Sequence, residues 1–195
     1  MTKDIMLVTG AGQISMAIAR RMGYGKKIVL GDRSLDNAKA IAKTLTEAGF
    51  DVVTFEMDLS SCQSIKEMIA YAQTFGDIKY LVNGAGVSPS QASIATVLKV
   101  DLYGTSVLLE EVGKVIAKGG AGVTISSQSG HRMPALTAKQ DLALTMTPTE
   151  ELLILDFLQE DRIENSLHVY QLAKRANEKT YHVRSCSLGR TWCQN

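Results

Sequence analysis

The sequence is poor in several features, and each shortage excludes a class of protein. Aromatic residues make up 6% and the formal net charge is +1, so no basic face for nucleic acid is expected. No stretch approaches about 18 uncharged apolar residues, and the apolar run before Gly10 is too short for a signal peptide. We therefore expect a cytoplasmic protein with no nucleic-acid or membrane partner.

Cysteine is scarce as well. Cys62, Cys186 and Cys193 are odd in number and lack the paired spacing of metal ligands. We interpret them as unpaired thiols and expect no disulfide framework and no metal site.

The residues that are present are typical of one globular α/β domain, since 45% of the 195 residues are hydrophobic. Short apolar runs predict strands at residues 5–9, 27–30, 52–56, 80–83 and 122–126. Helical patterns fill residues 14–22, 35–48, 64–74 and 92–117. This alternation predicts a Rossmann-type, doubly wound parallel sheet in three α/β/α layers, spanning residues 1–178.

The pattern changes after Gly130, and residues 131–166 read as an inserted cap or loop. Within them, residues 147–150 have the sequence Thr-Pro-Thr-Glu, which predicts a capping box and one short helix. A further helix is expected to start near Leu167. It would carry Tyr170 and Lys174 on one face, because positions four apart are neighbours on a helix.

A glycine-rich turn follows the first predicted strand. Gly10 and Gly12 stand where a dinucleotide loop needs a tight turn and a close approach to pyrophosphate. The helix N-terminus at Gln13 and Ile14 would provide the anion site. Ser15 occupies the third glycine position and is small enough for close helix packing. On this motif alone, a glycine turn without a ligand is an equal alternative.

Acidic residues follow the second and third strands. Asp32 lies at the expected distance of about twenty residues to accept hydrogen bonds from the adenosine ribose, and its charge disfavours a 2′-phosphate. This favours NAD as the cofactor. NADP is the alternative, because Arg33 is able to pair with a 2′-phosphate. Asp58, with Leu59, is a candidate for the adenine edge. A turn or helix-capping aspartate near Ser60 is the alternative for Asp58.

Three further motifs complete a pattern that resembles the short-chain dehydrogenase/reductase family. They are Asn83-Gly84-Ala85-Gly86, Ser126-Ser127-Gln128-Ser129-Gly130 and Tyr170-Gln171-Leu172-Ala173-Lys174. Together with the glycine turn they stand in the family's order, up to about residue 178. The resemblance implies hydride transfer between NAD(P)(H) and a small alcohol or carbonyl substrate. A catalytically silent dinucleotide-binding or interaction protein is the alternative.

The resemblance also implies residue roles. Asn83, Gly84, Ala85 and Gly86 would bind the cofactor. Tyr170 would exchange a proton with the substrate oxygen. A free tyrosine titrates at about 10, and a neighbouring positive charge has the right sign to stabilise the phenolate at lower pH. Lys174 would supply that charge and hold the nicotinamide ribose. Ser127 would orient the substrate oxygen, with Ser129 as the alternative.

The sequence departs from the family pattern at several positions. Gly84 replaces a second Asn, and Asp101 stands where many members have an Asn that supports a proton-relay water, so we expect Asp101 to act in an altered relay. The interval between Ser127 and Tyr170 is longer than usual.

The last 17 residues, 179–195, form an atypical tail without a helical period or the family's continuation. We expect a chain truncated or frameshifted after about residue 178, because one extra nucleotide in the codons of Glu178 and Lys179 permits an amphipathic, family-like reading in the other frame. A natural, disordered C-terminus is the alternative. The family resemblance further implies a homo-oligomer formed through the long helices.

Overall fold

The computed structural model describes the backbone of residues 3–187 and the side chains of residues 3–179. Five parallel strands form one sheet in the order β3-β2-β1-β4-β5. The strands are β1 Ile5–Thr9, β2 Lys27–Asp32, β3 Asp51–Glu56, β4 Ile78–Asn83 and β5 Ala121–Thr124. All five lie where the apolar runs predicted them, and the predicted doubly wound fold is confirmed.

The register of the central strands sets the position of the site. Every residue of β1 is buried, as expected of a strand covered by helices on both faces. Thr9 at the end of β1 pairs with Gly31 on one side and with Asn83 on the other. The turns after β1, β2 and β4 therefore meet at one edge of the sheet, on both sides of the point where strand order reverses.

Helices cover the two faces of the sheet. They are α1 Gln13–Met22, α2 Leu35–Glu47, α3 Cys62–Gln73, α4 Ile94–Val97, α5 Thr105–Val115, α6 Ala138–Met146 and α7 Ser166–Ser187. The side chains of Ser34 and Ser61 cap α2 and α3 by accepting hydrogen bonds from backbone amides three residues later.

The long helix predicted at residues 92–117 is not a regular α-helix. It begins at Ile94 and ends at Val115, and residues Leu98–Gly104 within it form a π-helix. Glycine is required at the end of this wide segment, because a Cβ on Gly104 would overlap the carbonyl oxygen of Leu59. Such π-helical turns are frequent at functional sites, and this one carries Asp101.

The capping box predicted at residues 147–150 is wrong. Pro148 precedes a 3-10 helix, Thr149–Ile154, that has no side-chain cap. The capping box lies instead at Thr137 and Gln140, at the start of α6, a helix that the sequence analysis missed. Both segments carry the same local signal, so tertiary packing decides between them.

Residues 131–166 pack into the protein rather than forming an open loop. Leu144, Leu158 and Ile163 are buried in one apolar cluster with Val169 and Leu172 of α7. None of these 36 residues, 131–166, lines the two cavities described below. Their function as a cap stays a prediction.

Helix α7 starts at Ser166, close to the predicted position. Its backbone remains helical to Ser187, beyond the point where the helical pattern in the sequence ends. Once the packed N-terminal part has formed, extension is easy because each added residue fixes only its own backbone dihedral angles and gains a hydrogen bond. Residues 188–195 lie outside the described residues, as do the side chains of Cys186 and Cys193. Cys62 is a free thiol. Within residues 3–187, no helix combines the length and apolarity needed to cross a bilayer.

Candidate active site

The glycine-rich turn forms the start of the site. Gly10 has φ +80°, and a Cβ there would lie 2.7 Å from the backbone nitrogen and Cα of Ala85. Its amide donates to the carbonyl of Gly31 at 2.7 Å, which fixes the turn against β2. Gly12 is the N-cap of α1, and nothing lies within 4 Å of the Cβ it lacks. Gly10 therefore permits close packing within the protein, while Gly12 leaves space in front of a helix N-terminus.

The Asp32 carboxylate is held by the backbone on both sides. Its Oδ2 accepts from the Ala11 amide at 2.7 Å, and its Oδ1 accepts from the Ser34 amide at 2.8 Å. The Asn37 side-chain amide donates to Ala11 O at 3.3 Å and to Asp32 Oδ2 at 3.5 Å. Sequence reasoning missed Asn37. Its position in the first turn of α2, five residues after Asp32, was the available signal.

A first cavity of about 300 Å³ lies between these turns. Its lining contains most of the predicted cofactor residues: Gly10, Gly12, Asp32, Arg33, Asp58, Leu59, Gly84, Ala85 and Gly86. Gln13 and Ile14 are exposed at the start of α1 and do not belong to this lining.

The turn interpretation of Asp58 is confirmed, and its contact with the adenine edge stays a prediction. Its Oδ1 accepts from the amide and from the hydroxyl of Ser60, each at 2.8 Å, so Asp58 is a turn aspartate. The residue also lines the first cavity. The helix cap that follows is Ser61 rather than Asp58.

Asn83 and Gly84 act in packing at the end of β4. The Asn83 side chain is 1% exposed, and its Oδ1 accepts from the Thr9 hydroxyl at 2.7 Å, so it braces the sheet edge behind the cavity. A Cβ on Gly84 would overlap the hydroxyl oxygen of Ser15. Ser15 and Gly84, two departures from the family pattern, therefore lie in contact with each other.

A second cavity of about 390 Å³ collects the residues predicted to be catalytic. Ser127, its alternative Ser129, Tyr170 and Lys174 all line it. The two cavities share residues 84–87 as a common wall. The two cavities therefore adjoin, and together they are called the cleft, with Asp32 in the lining of the first and Tyr170 in the lining of the second.

The serine segment is fixed to α7. Ser127 caps the 3-10 helix Gln128–His131 by accepting from the Ser129 amide at 3.1 Å. The Ser126 hydroxyl donates to the Lys174 carbonyl at 3.2 Å. A Cβ on Gly130 would lie 2.8 Å from the Arg175 amide nitrogen, so glycine allows this close approach.

Lys174 is 6% exposed and pairs with Asp101, which is 0% exposed. The distance from Lys174 Nζ to Asp101 Oδ2 is 3.4 Å, and Nζ lies 5.2 Å from the centre of the Tyr170 ring. Burial raises the pKa of the Asp101 carboxyl, and the charge of Lys174 together with the Val87 amide opposes that rise. Asp101 lines neither cavity and lies behind Lys174 rather than in the cleft, so its part in a relay stays a prediction.

Tyr103 is the tyrosine of the π-helix, and it is unsuited to proton transfer near neutral pH. Its burial, followed by its hydrogen bond to Glu150 at 3.1 Å, raises the pKa of Tyr103 to about 12. It lines neither cavity. Across the described part of the chain, no three His, Cys, Asp or Glu side chains group as metal ligands.

The sequence profile of the family described as short chain dehydrogenase matches residues 4–139. This chain belongs to the short-chain dehydrogenase family. The short-chain dehydrogenase/reductase bsc3 of Alternaria brassicicola is 33% identical over 196 residues, covering 97% of this chain and 69% of that protein.

Solved structures of short-chain dehydrogenases and other oxidoreductases share the fold. A putative D-mannonate oxidoreductase from Haemophilus influenza with bound NAD has a TM-score of 0.72 at 17% identity, covering 96% of this chain and 67% of that one. A metagenomic short-chain oxidoreductase in complex with NADP has a TM-score of 0.69 at 21% identity, covering 96% of this chain and 77% of that one.

Proposed function

We propose that this short-chain dehydrogenase is an NAD(P)-dependent oxidoreductase that acts on a small alcohol or carbonyl substrate. The adjoining cavities carry the proposal, because the glycine turn and Asp32 line the first while Ser127, Tyr170 and Lys174 line the second. A protein that only bound the dinucleotide and catalysed no reaction would need the first cavity alone.

The residues of the first cavity fit a dinucleotide. Gly12 leaves open space at the N-terminus of α1, where a pyrophosphate gains both free amides and the helix dipole. Asp32 is oriented by two backbone amides and keeps lone pairs for the ribose hydroxyls. NAD is the preferred cofactor because this carboxylate would repel a 2′-phosphate, and exposed Arg33 leaves NADP as the alternative.

The bound nicotinamide would supply the hydride acceptor or donor. Tyr170 would take the hydroxyl proton of an alcohol during oxidation and return it to the developing alkoxide during reduction. Lys174 would favour the phenolate by its charge and would reach the cofactor ribose. Ser127 would orient the substrate oxygen by a hydrogen bond from a hydroxyl that the Ser129 amide already holds in place.

The Tyr170→Phe variant tests the proposal. Purified full-length protein is incubated with NAD or NADP and a panel of secondary alcohols and polyols, and with NADH or NADPH and matching ketones, while absorbance of the reduced cofactor is followed. We expect turnover by the wild type and a loss of about 100-fold or more in Tyr170→Phe. Cofactor binding, measured by NADH fluorescence, should persist in the variant.

Tyr24→Phe is the matched control, because Tyr24 is 85% exposed and lies outside the cleft. It should turn over like the wild type. Cofactor binding without any turnover across the panel, unchanged by Tyr170→Phe, would favour the silent binding protein. Location in the cytoplasm and self-association through the long helices stay predictions.

A further inference from the structure

Asp101 is a buried carboxyl group next to Gly86, which belongs to the wall that the two cavities share. Its Oδ1 accepts from the Val87 amide at 2.9 Å, whereas Oδ2 lies 3.4 Å from Lys174 Nζ and has no hydrogen-bond partner among the described residues. A Cβ on Gly86 would lie 3.0 Å from Asp101 Oδ1 and 3.5 Å from Lys174 Nζ. The carboxylate and the ammonium therefore sit together against the backbone of Gly86, a residue that lines both cavities.

Few charged groups of the described residues surround this pair. Helix α7 presents Lys174 and, beyond it, the ring of Tyr170. The turn after β4 contributes the Val87 amide. On the π-helix itself, Lys99 is exposed to solvent and Tyr103 is bonded to Glu150. Within the described part of the chain, Lys174 is the cation whose charge acts on Asp101.

An ion pair favours a nearby phenolate less than a lone cation does, because the field of a dipole falls faster with distance than that of a single charge. Lys174 stands between Asp101 and the phenol of Tyr170 in this chain of contacts. A neutral side chain at position 101 would leave the charge of Lys174 uncompensated. The phenolate would then form at lower pH.

We infer that Asp101 is a positioning residue that offsets the charge of Lys174 and so moves proton transfer at Tyr170 toward alkaline pH. This inference rests on the proposed function, in which oxidation of an alcohol requires the phenolate. At an effective dielectric constant of about 20, removal of a unit charge about 10 Å away shifts a titration midpoint by about one pH unit.

The test compares Asp101→Asn with the wild type in the full chain. Phenolate absorbance is titrated with pH for each protein and for the same protein carrying Tyr170→Phe, so that subtraction leaves the signal of Tyr170 alone. We expect the midpoint of that signal to fall by about one pH unit in Asp101→Asn. The pH midpoint of alcohol oxidation should move by the same amount in the same direction.

Three further variants separate charge from structure. Asp101→Ser removes the charge with a smaller side chain and decides the test if circular dichroism shows that Asp101→Asn does not fold. Asp101→Glu keeps the charge and should retain the wild-type midpoint. Asp141→Asn is the matched control, because Asp141 pairs with Arg175, the next residue along α7, at 2.9 Å. It should leave the midpoint unchanged.

An unshifted or alkaline-shifted midpoint in the folded neutral variants overturns the inference, as does an equal acid shift in Asp141→Asn. The phenolate titration requires neither cofactor nor substrate. A shift without turnover would therefore refute the proposed function and support the charge compensation.

Discussion

Replacing Gly84 by alanine would put a methyl group where the Ser15 hydroxyl lies, at the junction of α1 and β4. Relieving the overlap requires Ser15 to change rotamer or the backbone to shift, and such overpacking costs about 1 to 3 kcal/mol of the free energy of unfolding. Gly84 does not have a positive φ, so the backbone itself accepts alanine. The cost therefore comes from the contact with Ser15.

Ser15→Ala should be mild. It removes one long hydrogen bond, from the Ser15 hydroxyl to Thr9 O at 3.4 Å, and that carbonyl still accepts from the Gly84 amide at 3.0 Å. We expect a loss below about 1 kcal/mol. In the double variant the new methyl group occupies the space of the missing hydroxyl, and alanine reduces the entropy of the unfolded chain by about 0.4 to 1 kcal/mol. The double variant should therefore be nearly as stable as the wild type.

Urea unfolding followed by far-ultraviolet circular dichroism measures this double-mutant cycle. The expected coupling free energy is about 1 to 3 kcal/mol, and each kcal/mol corresponds to roughly 2 to 4 °C in Tm for a chain of this size. Gly12→Ala is the control, since nothing lies within 4 Å of the Cβ that alanine would add. Its change in the free energy of unfolding should add to that of Ser15→Ala. Additivity of Gly84→Ala and Ser15→Ala within about 0.5 kcal/mol would refute the reasoning.

Three other predictions follow from single contacts. Gly10→Ala should destabilise the protein by about 3 kcal/mol or more, measured by the same unfolding assay, because its φ is +80° and the Cβ would lie 2.7 Å from the Ala85 backbone. The hydrogen bond from Arg175 holds the pKa of Asp141 below its ordinary value. The ionised Asp141 therefore contributes less than about 1 kcal/mol to the free energy of unfolding, and this contribution is present above pH ~4 and lost as the pH falls further. Asp141→Asn should therefore reduce stability at neutral pH but not at pH ~2. Asp32→Asn should weaken NADH binding and reduce the ratio of NADH affinity to NADPH affinity by about tenfold, measured by fluorescence titration. Tighter binding of NADPH than of NADH to the wild type would contradict the function proposed for Asp32.

Local sequence patterns predicted most of the scaffold. The strands were identified because buried parallel strands are short apolar runs, and Gly10 was identified because only glycine readily takes a positive φ in a tight turn. The capping box was predicted at the wrong segment because residues 137–140 and 147–150 offer similar caps. Packing of α6 against α7 favours the first of them.

Other features depended on contacts between distant residues. The π-helical turn was not predicted, and the close approach of Gly104 at its end to Leu59 depends on tertiary packing. The contact between Ser15 and Gly84 likewise required α1 and β4 to be placed in space.

The sequence by itself determined which residues are proposed to carry the chemistry of this short-chain dehydrogenase: the glycine turn, Asp32, Ser127, Tyr170 and Lys174. Their motifs are short, and each is read from neighbours along the chain or along one helix. Only the tertiary structure decided that Asp101 is fully buried and 3.4 Å from Lys174, because the π-helix and α7 meet through packing rather than through sequence proximity. Burial determines how strongly two charges act on each other, and burial is a property of the folded chain.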